Sequence, residues 1–293
     1  MRRFSFATID VFTTTPLEGN PLAVLPDATG LTDAEMLAIA REFNLSETTF
    51  VLRREKSVER TRGFRTRIFS TREEMPFAGH PTLGTAAVLR GQGAGDEVVL
   101  ELNVGPVPVR FSDRGGRTFG EMTQIEPTFG RVHEPERVAD ALGVPLAELE
   151  KDLPIQTVST GIPFAIVPFV RLEALQNWAP DWNRLEKYLT TTDAQFFYAV
   201  CRKTVAGDAH LHARMVFYGG DDPATGSAAG PAAAWMVRNG LVASGSPVEI
   251  EQGIECHRTS RISARADRSG EKVTNVRVGG FFAPVVQGEL RLP

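Results

Sequence analysis

Cysteine is scarce in this chain: only Cys201 and Cys256 stand among 293 residues. Two scattered thiols in a chain of this size make no disulfide framework and imply a reducing, cytoplasmic setting. Long apolar runs are missing too. No stretch approaches the ~18 apolar residues of a membrane span, and the opening MRRFSFATIDVF lacks the apolar run and small-residue cleavage site of an export signal. There is no strong excess of either charge: 32 Lys and Arg against 36 Asp and Glu leave −4, which gives no electrostatic footprint for nucleic acid or an anionic membrane. The one basic concentration, RREKSVERTRGFRTR (Arg53–Arg67), is interrupted by two Glu and reads as a solvated strand-loop-strand face rather than a phosphate site. A regular alternation of strands and helices is absent as well, which argues against a doubly wound parallel sheet.

What the chain does have is an internal repeat. GNPLAVLP (Gly19–Pro26) and GIPFAIVP (Gly161–Pro168) share the pattern G-x-P-apolar-A-apolar-apolar-P at an offset of 142. PTLGTAA (Pro81–Ala87) and PATGSAA (Pro223–Ala229) share P-x-x-G-[TS]-A-A at the same offset. A third pair, LELNVG (Leu100–Gly105) and VEIEQG (Val248–Gly253), lies at 148, so the second copy is slightly longer. Two separate matches at one offset mark two diverged copies of one unit.

Each copy reads as strands around one helix of small residues. In the first, strands are expected at Phe4–Phe12, Pro21–Leu25, Thr48–Arg53, Phe64–Phe69, Val98–Leu102 and Pro106–Phe111, with helices over Thr32–Phe43 and Pro81–Leu89. In the second, strands are expected at Gln156–Ser159, Phe164–Pro168, Ala194–Cys201, Ala209–Phe217, Val248–Gln252, Arg261–Ala266 and Asn275–Gly279, with helices at Trp182–Leu189 and Ala224–Asn239. The fold class is therefore α+β, with two similar lobes, each a curled, mainly antiparallel sheet on a central helix. The expected lobes are residues 1–124, completed by a last strand within 284–293, and residues 125–283, with the break near the Pro- and Gly-containing stretch Met122–Arg131.

Aligning the copies sets His80 opposite Asp222, each one residue before a proline suited to starting a helix. Gly79, Gly219, Gly220 and Gly226 stand nearby. Helix N-termini offer unpaired N–H groups and a positive dipole end, so two of them facing a cleft between the lobes would suit a small carboxylate. The plainer reading makes Asp222 an N-cap and His80 a turn residue. Glu47, in NLSETTFV (Asn44–Val51), breaks the symmetry, because Leu189 stands at the 142 offset. Two readings are open for it: an exposed acid in a helix-to-strand turn, or a catalytic carboxyl. His210 and His212 alternate along one strand, but an H-x-H pair without further ligands does not make a metal site, and none is expected.

At this point the motifs resemble a known family, the phenazine-biosynthesis isomerase-like proteins (PhzF family), which share the fold of diaminopimelate epimerase. DVFTTTPLEGNPLAV (Asp10–Val24), NLSETTFV, EMPFAGHPTLGTAA (Glu74–Ala87), VSTGIPFAIVP (Val158–Pro168), DDPATGSAAG (Asp221–Gly230), EQG (Glu251–Gly253) and VGGFFAPVVQGEL (Val278–Leu290) carry the resemblance, in order, along the chain. It implies a cofactor-free isomerase of two lobes with the active site between them, usually a homodimer, acting on a small cyclic or unsaturated carboxylate. It further implies that Glu47 moves the proton, that His80, Asp222 and Ser227 line the pocket, and that Gly79 and Gly226 supply backbone N–H groups. Shuttling a proton needs both protonation states near neutrality, so partial burial is expected to raise the Glu47 pKa. An amino- or hydroxy-acid epimerase and a noncatalytic carboxylate-binding protein are the alternatives. The related epimerases use one cysteine per lobe, and neither Cys201 nor Cys256 stands in the helix-start motifs. The chain departs from the family after EQG, where Cys256-His257-Arg258-Thr259-Ser260 replaces Met or Leu followed by Gly-Arg-Pro-Ser, and STREE (Ser70–Glu74) lacks the Pro often found after the Thr.

Overall fold

Two groups of residues make most of their contacts internally: Met1–Thr123 with Gly279–Pro293, and Gln124–Val278. The computed structural model describes residues 1–217 and 220–293. Among the described residues no helix is long and apolar enough to cross a membrane.

The first unit contains strands β1 (Arg2–Val11), β2 (Asn20–Leu25), β3 (Thr48–Leu52), β4 (Phe64–Phe69), β5 (Glu74–Met75), β6 (Glu97–Leu102), β7 (Gly105–Arg114) and β8 (Arg117–Thr123). Its helices are α1 (Asp33–Phe43), α2 (Lys56–Arg62) and α3 (Gly79–Leu89). The sheet order is β1-β2-β3-β4-β6-β7-β8, with β5 on the side of β4. Residues 282–292 pair antiparallel with β1, from Val11 opposite Phe282 to Arg2 opposite Leu292.

Helix α1 starts where its side chains can cap it. The Glu35 N–H donates to Thr32 Oγ1 (3.3 Å) and the Thr32 N–H donates to Glu35 Oε2 (2.8 Å), a reciprocal capping box. It stops at Asn44, whose φ of 51° is left-handed. Helix α3 is buried over Gly79–Ala86 and at Leu89, so it is small or apolar on nearly every face. At Gly84 a Cβ would fall 2.6 Å from Leu22 Cδ2 and 2.9 Å from Val11 Cγ2, so glycine is what lets the helix lie against β1 and β2.

The second unit contains β9 (Thr128–Val132), β10 (Gln156–Ser159), β11 (Pro163–Phe169), β12 (Phe196–Cys201), β13 (Leu211–Arg214), the short pair β14 (Val216–Phe217) and β15 (Gly220–Asp221), β16 (Val248–Gln252) and β17 (Ser260–Ser269). Strand β18 (Lys272–Leu292) begins in this unit and ends in the first. Helices α4 (Pro135–Leu142), α5 (Leu172–Gln176), α6 (Trp182–Leu189) and α7 (Gly226–Arg238) complete it. The order β10-β11-β12-β13-β16-β17-β18 repeats that of the first unit. Parallel pairs recur at matching places, β2–β3 and β4–β6 in one copy, β11–β12 and β13–β16 in the other. This shared topology is what the repeated motifs encode.

Several expectations need correction. The Arg53–Arg67 stretch is not strand-loop-strand: α2 occupies Lys56–Arg62 and β4 follows. Nor is it simply a solvated face. Arg53 donates to both carboxylate oxygens of buried Glu59 (2.8 and 3.0 Å), Arg54 and Arg62 each reach Glu101 (2.8 Å), and Arg67 forms ion pairs with Glu74 and Asp33. Part of the charge run therefore makes ion pairs within the fold, while Glu55, Lys56, Arg60 and Arg62 stay exposed. Asn275–Gly279 and Val285–Leu292 are parts of one continuous strand, and α4 and β8 occupy residues left unassigned from sequence.

Candidate active site

Glu47 follows the left-handed end of α1 and immediately precedes β3, so the turn at Asn44 sets where its side chain emerges. Across from it, His80 belongs to the first turn of α3. The helix begins at Gly79 rather than Pro81, which corrects the expectation that His80 precedes the helix. His80 Nε2 lies 3.4 Å from Glu47 Oε2, with the two side chains only 5% and 15% exposed. Thr85 Oγ1 donates to Thr49 Oγ1 (2.7 Å), both fully buried, which ties α3 to β3 and so ties the two halves of this pair together.

The separation suits an ion pair, yet burial lowers the His80 pKa from 6.5 to about 3, so the ring is neutral at physiological pH. The sign of the linkage follows. Between pH 6.5 and about 3 the unfolded chain takes up a proton that the folded chain refuses, so His80 makes stability fall as pH falls through this window. His80→Asn should flatten that part of the stability–pH curve, measured by urea unfolding at intervals from pH 7 to 4. An unchanged slope would show that His80 is protonated in the fold.

In the second unit Asp222 lies in the segment between β15 and α7. Helix α7 begins at Gly226, so Asp222 stands outside it, and the N-cap residue is Thr225, whose side chain makes no capping hydrogen bond. The Asp222 N–H donates to Met215 O (2.9 Å), and Asp222 Oδ2 accepts from Thr225 Oγ1 (2.6 Å). Gln252, fully buried on β16, completes the support: its Nε2 donates to Asp222 O (2.7 Å) and to Thr225 Oγ1 (2.8 Å). Its Oε1 accepts from the Thr225 N–H (3.2 Å) and Tyr198 Oη (3.1 Å). Gly226 and Ser227 are the first two residues of α7, Ser227 is buried, and the N–H groups of Ala228 and Ala229 already turn back to Thr225 O. The Gly226 and Ser227 N–H groups thus form the uncapped end of the helix. Gly219 lies outside the described residues.

Sequence reasoning passed over two side chains that shape this region. Gln252 is in the EQG motif but had no role assigned. Arg214 is almost wholly buried: Nε and Nη2 grip Asp221 (2.9 and 3.0 Å), while Nη1 donates to the carbonyls of Leu175, Gln176 and Trp178 (2.9, 3.3 and 2.6 Å). A buried arginine beside an acid in the motif, Asp221, was the available signal.

The internal registers also correct the counterpart of Glu47. Ala23 pairs with Thr48 and its repeat Ala165 pairs with Phe197, so Glu47 corresponds to Phe196 rather than Leu189. The longer connection between β11 and α6, which holds α5, shifts the alignment, and the acid still has no acidic counterpart. His212 sits between carboxylates, Nδ1 2.8 Å from Glu251 and Nε2 2.9 Å from Glu255; burial alone would lower its pKa, but Glu255 and Glu251 outweigh burial and raise it. His210 Nδ1 accepts from the Glu249 N–H (3.0 Å), and His133 is buried between Tyr188 and Thr157. Burial, then Asp221 and Asp222, push the Cys256 thiol up to about 11, and burial raises Cys201, so neither is a ready thiolate. His257 has φ 58°, a left-handed turn position at which the family's usual glycine fits more easily.

The family model for phenazine biosynthesis-like proteins (PhzC-PhzF) matches residues 9–288. An uncharacterized isomerase from Mesorhizobium japonicum is 37% identical, over 99% of both chains. The trans-2,3-dihydro-3-hydroxyanthranilate isomerase of Pseudomonas aeruginosa is 35% identical, over 98% of this chain and 99% of its own. The crystal structure of a PhzF-family phenazine biosynthesis protein from Bacillus anthracis covers 100% of both chains with a TM-score of 0.89 at 28% identity. A chain with this repeated α+β topology, matched end to end by isomerases, belongs to the phenazine biosynthesis-like PhzC-PhzF family and is an isomerase.

Proposed function

We propose that this protein isomerises a small cyclic or unsaturated carboxylate by moving one proton between two carbons, with Glu47 as the acid/base. The Glu47 carboxylate takes the proton from an activated C–H. The electron pair left behind forms a new C=C bond as the neighbouring double bond shifts, and the far carbon of that system takes the proton back from Glu47. Atoms and electrons balance with no co-reactant, so no cofactor or metal is invoked.

One observation carries the reading: the nearly buried Glu47 carboxylate stands 3.4 Å from a neutral imidazole. A neutral ring beside the base does not hold its proton off as a cation would, and it steadies the carboxyl or a polar substituent of the substrate in either protonation state. The uncapped N–H groups of Gly79, Gly226 and Ser227 are assigned to anionic groups of the substrate, and Asp222 to its hydrogen-bond donors.

The substrate named for the Pseudomonas aeruginosa relative is the first probe. Incubated with trans-2,3-dihydro-3-hydroxyanthranilate in heavy water, after dialysis against a chelator, the protein should shift the double bond and leave at most one solvent deuterium in each product molecule. A panel of small unsaturated carboxylates extends the test to other substrates. Thermal stabilisation by these acids without any isomerisation or isotope exchange would identify a binding protein and overturn the proposal.

A further inference from the structure

Every hydrogen in the Gln252 network has a defined direction. The Thr225 backbone N–H can only donate, so the Gln252 atom it meets is Oε1; the Asp222 carbonyl can only accept, so the atom it meets is Nε2. Both constraints give the same amide orientation. Tyr198, whose phenol burial keeps protonated, therefore donates to Oε1, and the second Nε2 hydrogen goes to Thr225 Oγ1. The Thr225 hydroxyl hydrogen is then aimed at Asp222 Oδ2, 2.6 Å away. The amide uses both hydrogens and both lone pairs: Tyr198 donates to Gln252, Gln252 donates to the Asp222 carbonyl, and Thr225 donates to the Asp222 carboxylate.

We infer that Gln252 and Thr225 are positioning residues that hold Asp222 as a fixed hydrogen-bond acceptor, presenting it to a donor group of the substrate and denying Oδ2 the role of proton donor. The inference rests on the reading that Asp222 takes part in the reaction. The first unit has no such clamp. At the 148 offset of the third repeat pair, apolar Val104 stands opposite Gln252, so the first copy has no amide at that place. There the helix starts five residues earlier in the shared sequence register. The clamp is thus a specialisation of the copy that carries the aspartate.

The test uses the full chain with trans-2,3-dihydro-3-hydroxyanthranilate as probe. Thr225→Val should lower kcat/KM roughly ten- to a hundredfold, the loss of a hydrogen bond to a charged group, and Thr225→Ser should restore it to within about threefold. In an Asp222→Asn background the Thr225→Val change should add no more than about threefold, because its effect passes through the carboxylate. An equal penalty in both backgrounds would mean a merely structural threonine and overturn the inference. Carbon-13 NMR of the Asp222 carboxyl is independent of turnover: its titration midpoint should rise by about one pH unit in Thr225→Val and stay put in Thr225→Ser. Among the described residues Tyr198, Cys256 and Asp221 are ionisable groups close to Asp222, so they are followed in the same spectra or replaced as controls. An unmoved midpoint overturns the inference. A moved midpoint with a fully active Asp222→Asn upholds the clamp and overturns only the assignment of Asp222 to the reaction.

Discussion

Glu47→Gln should fold as the parent does and lose about a hundred- to ten-thousandfold in turnover, the usual worth of a positioned acid/base. The amide keeps the shape and hydrogen-bonding reach of the carboxyl but cannot take a proton from carbon. His80 cannot replace it, because an imidazole whose pKa has fallen to about 3 is a far weaker base than a histidine in water. Glu47→Asp should fall between the two, since withdrawing the carboxyl by about one methylene misplaces it by ~1 Å, enough to cost on the order of a hundredfold. The measurement is the rate of double-bond shift together with solvent deuterium uptake, alongside a thermal melt to confirm folding. A Glu47→Gln protein that exchanges at the parental rate would remove Glu47 from the mechanism while leaving the family assignment intact.

Arg214→Met should be strongly destabilising. The guanidinium is 6% exposed in its side chain, holds Asp221 with two hydrogen bonds, serves three backbone carbonyls, and lies 5.5 Å from the centroid of Trp178. Methionine fills much of the volume and supplies none of the five hydrogen bonds. Breaking a buried pair from one side costs about 3–5 kcal/mol, because the remaining charge stays behind without its partner. For a cooperative unit of this size that is a fall of roughly 6–20 °C in Tm. Arg214→Lys should recover only part of it, since a point charge cannot match both Asp221 and the carbonyls. A Tm within about 2 °C of the parent for Arg214→Met would show that the network contributes little. Because Asp221 adjoins Asp222, kcat/KM of any folded Arg214 variant should also drop.

The repeat was legible because two motifs shared one offset, and the structure repeats strand order and pair direction in step with it. The start of α1 was legible from Thr32 and Glu35, whose chemistry is local. What escaped depended on residues distant in sequence. The prolines of GHPT and DPAT are identical signals, yet one lies inside α3 and the other precedes α7, where Gln252 of a distant strand holds the segment before the helix. Helix α2 was hidden by its own charges, since Arg and Glu that pair within the fold look from sequence like a solvated run. At the candidate site the sequence singles out Glu47, His80 and Asp222 as candidates, while the low pKa of His80 could not be read from it, because that comes from burial that only the assembled helix and sheet create.

The long strand β18 has a kinetic consequence. Arg2 is paired with Leu292, so the first strand of the chain waits for nearly the last residue before that edge is closed. On the ribosome, at about 5–20 residues per second, the second unit's Gln124–Val278 must emerge in the interval, a delay of roughly 8–30 s. During it β1 carries an unpaired edge, and the nascent first unit depends on dilution or a chaperone to keep that edge from another chain.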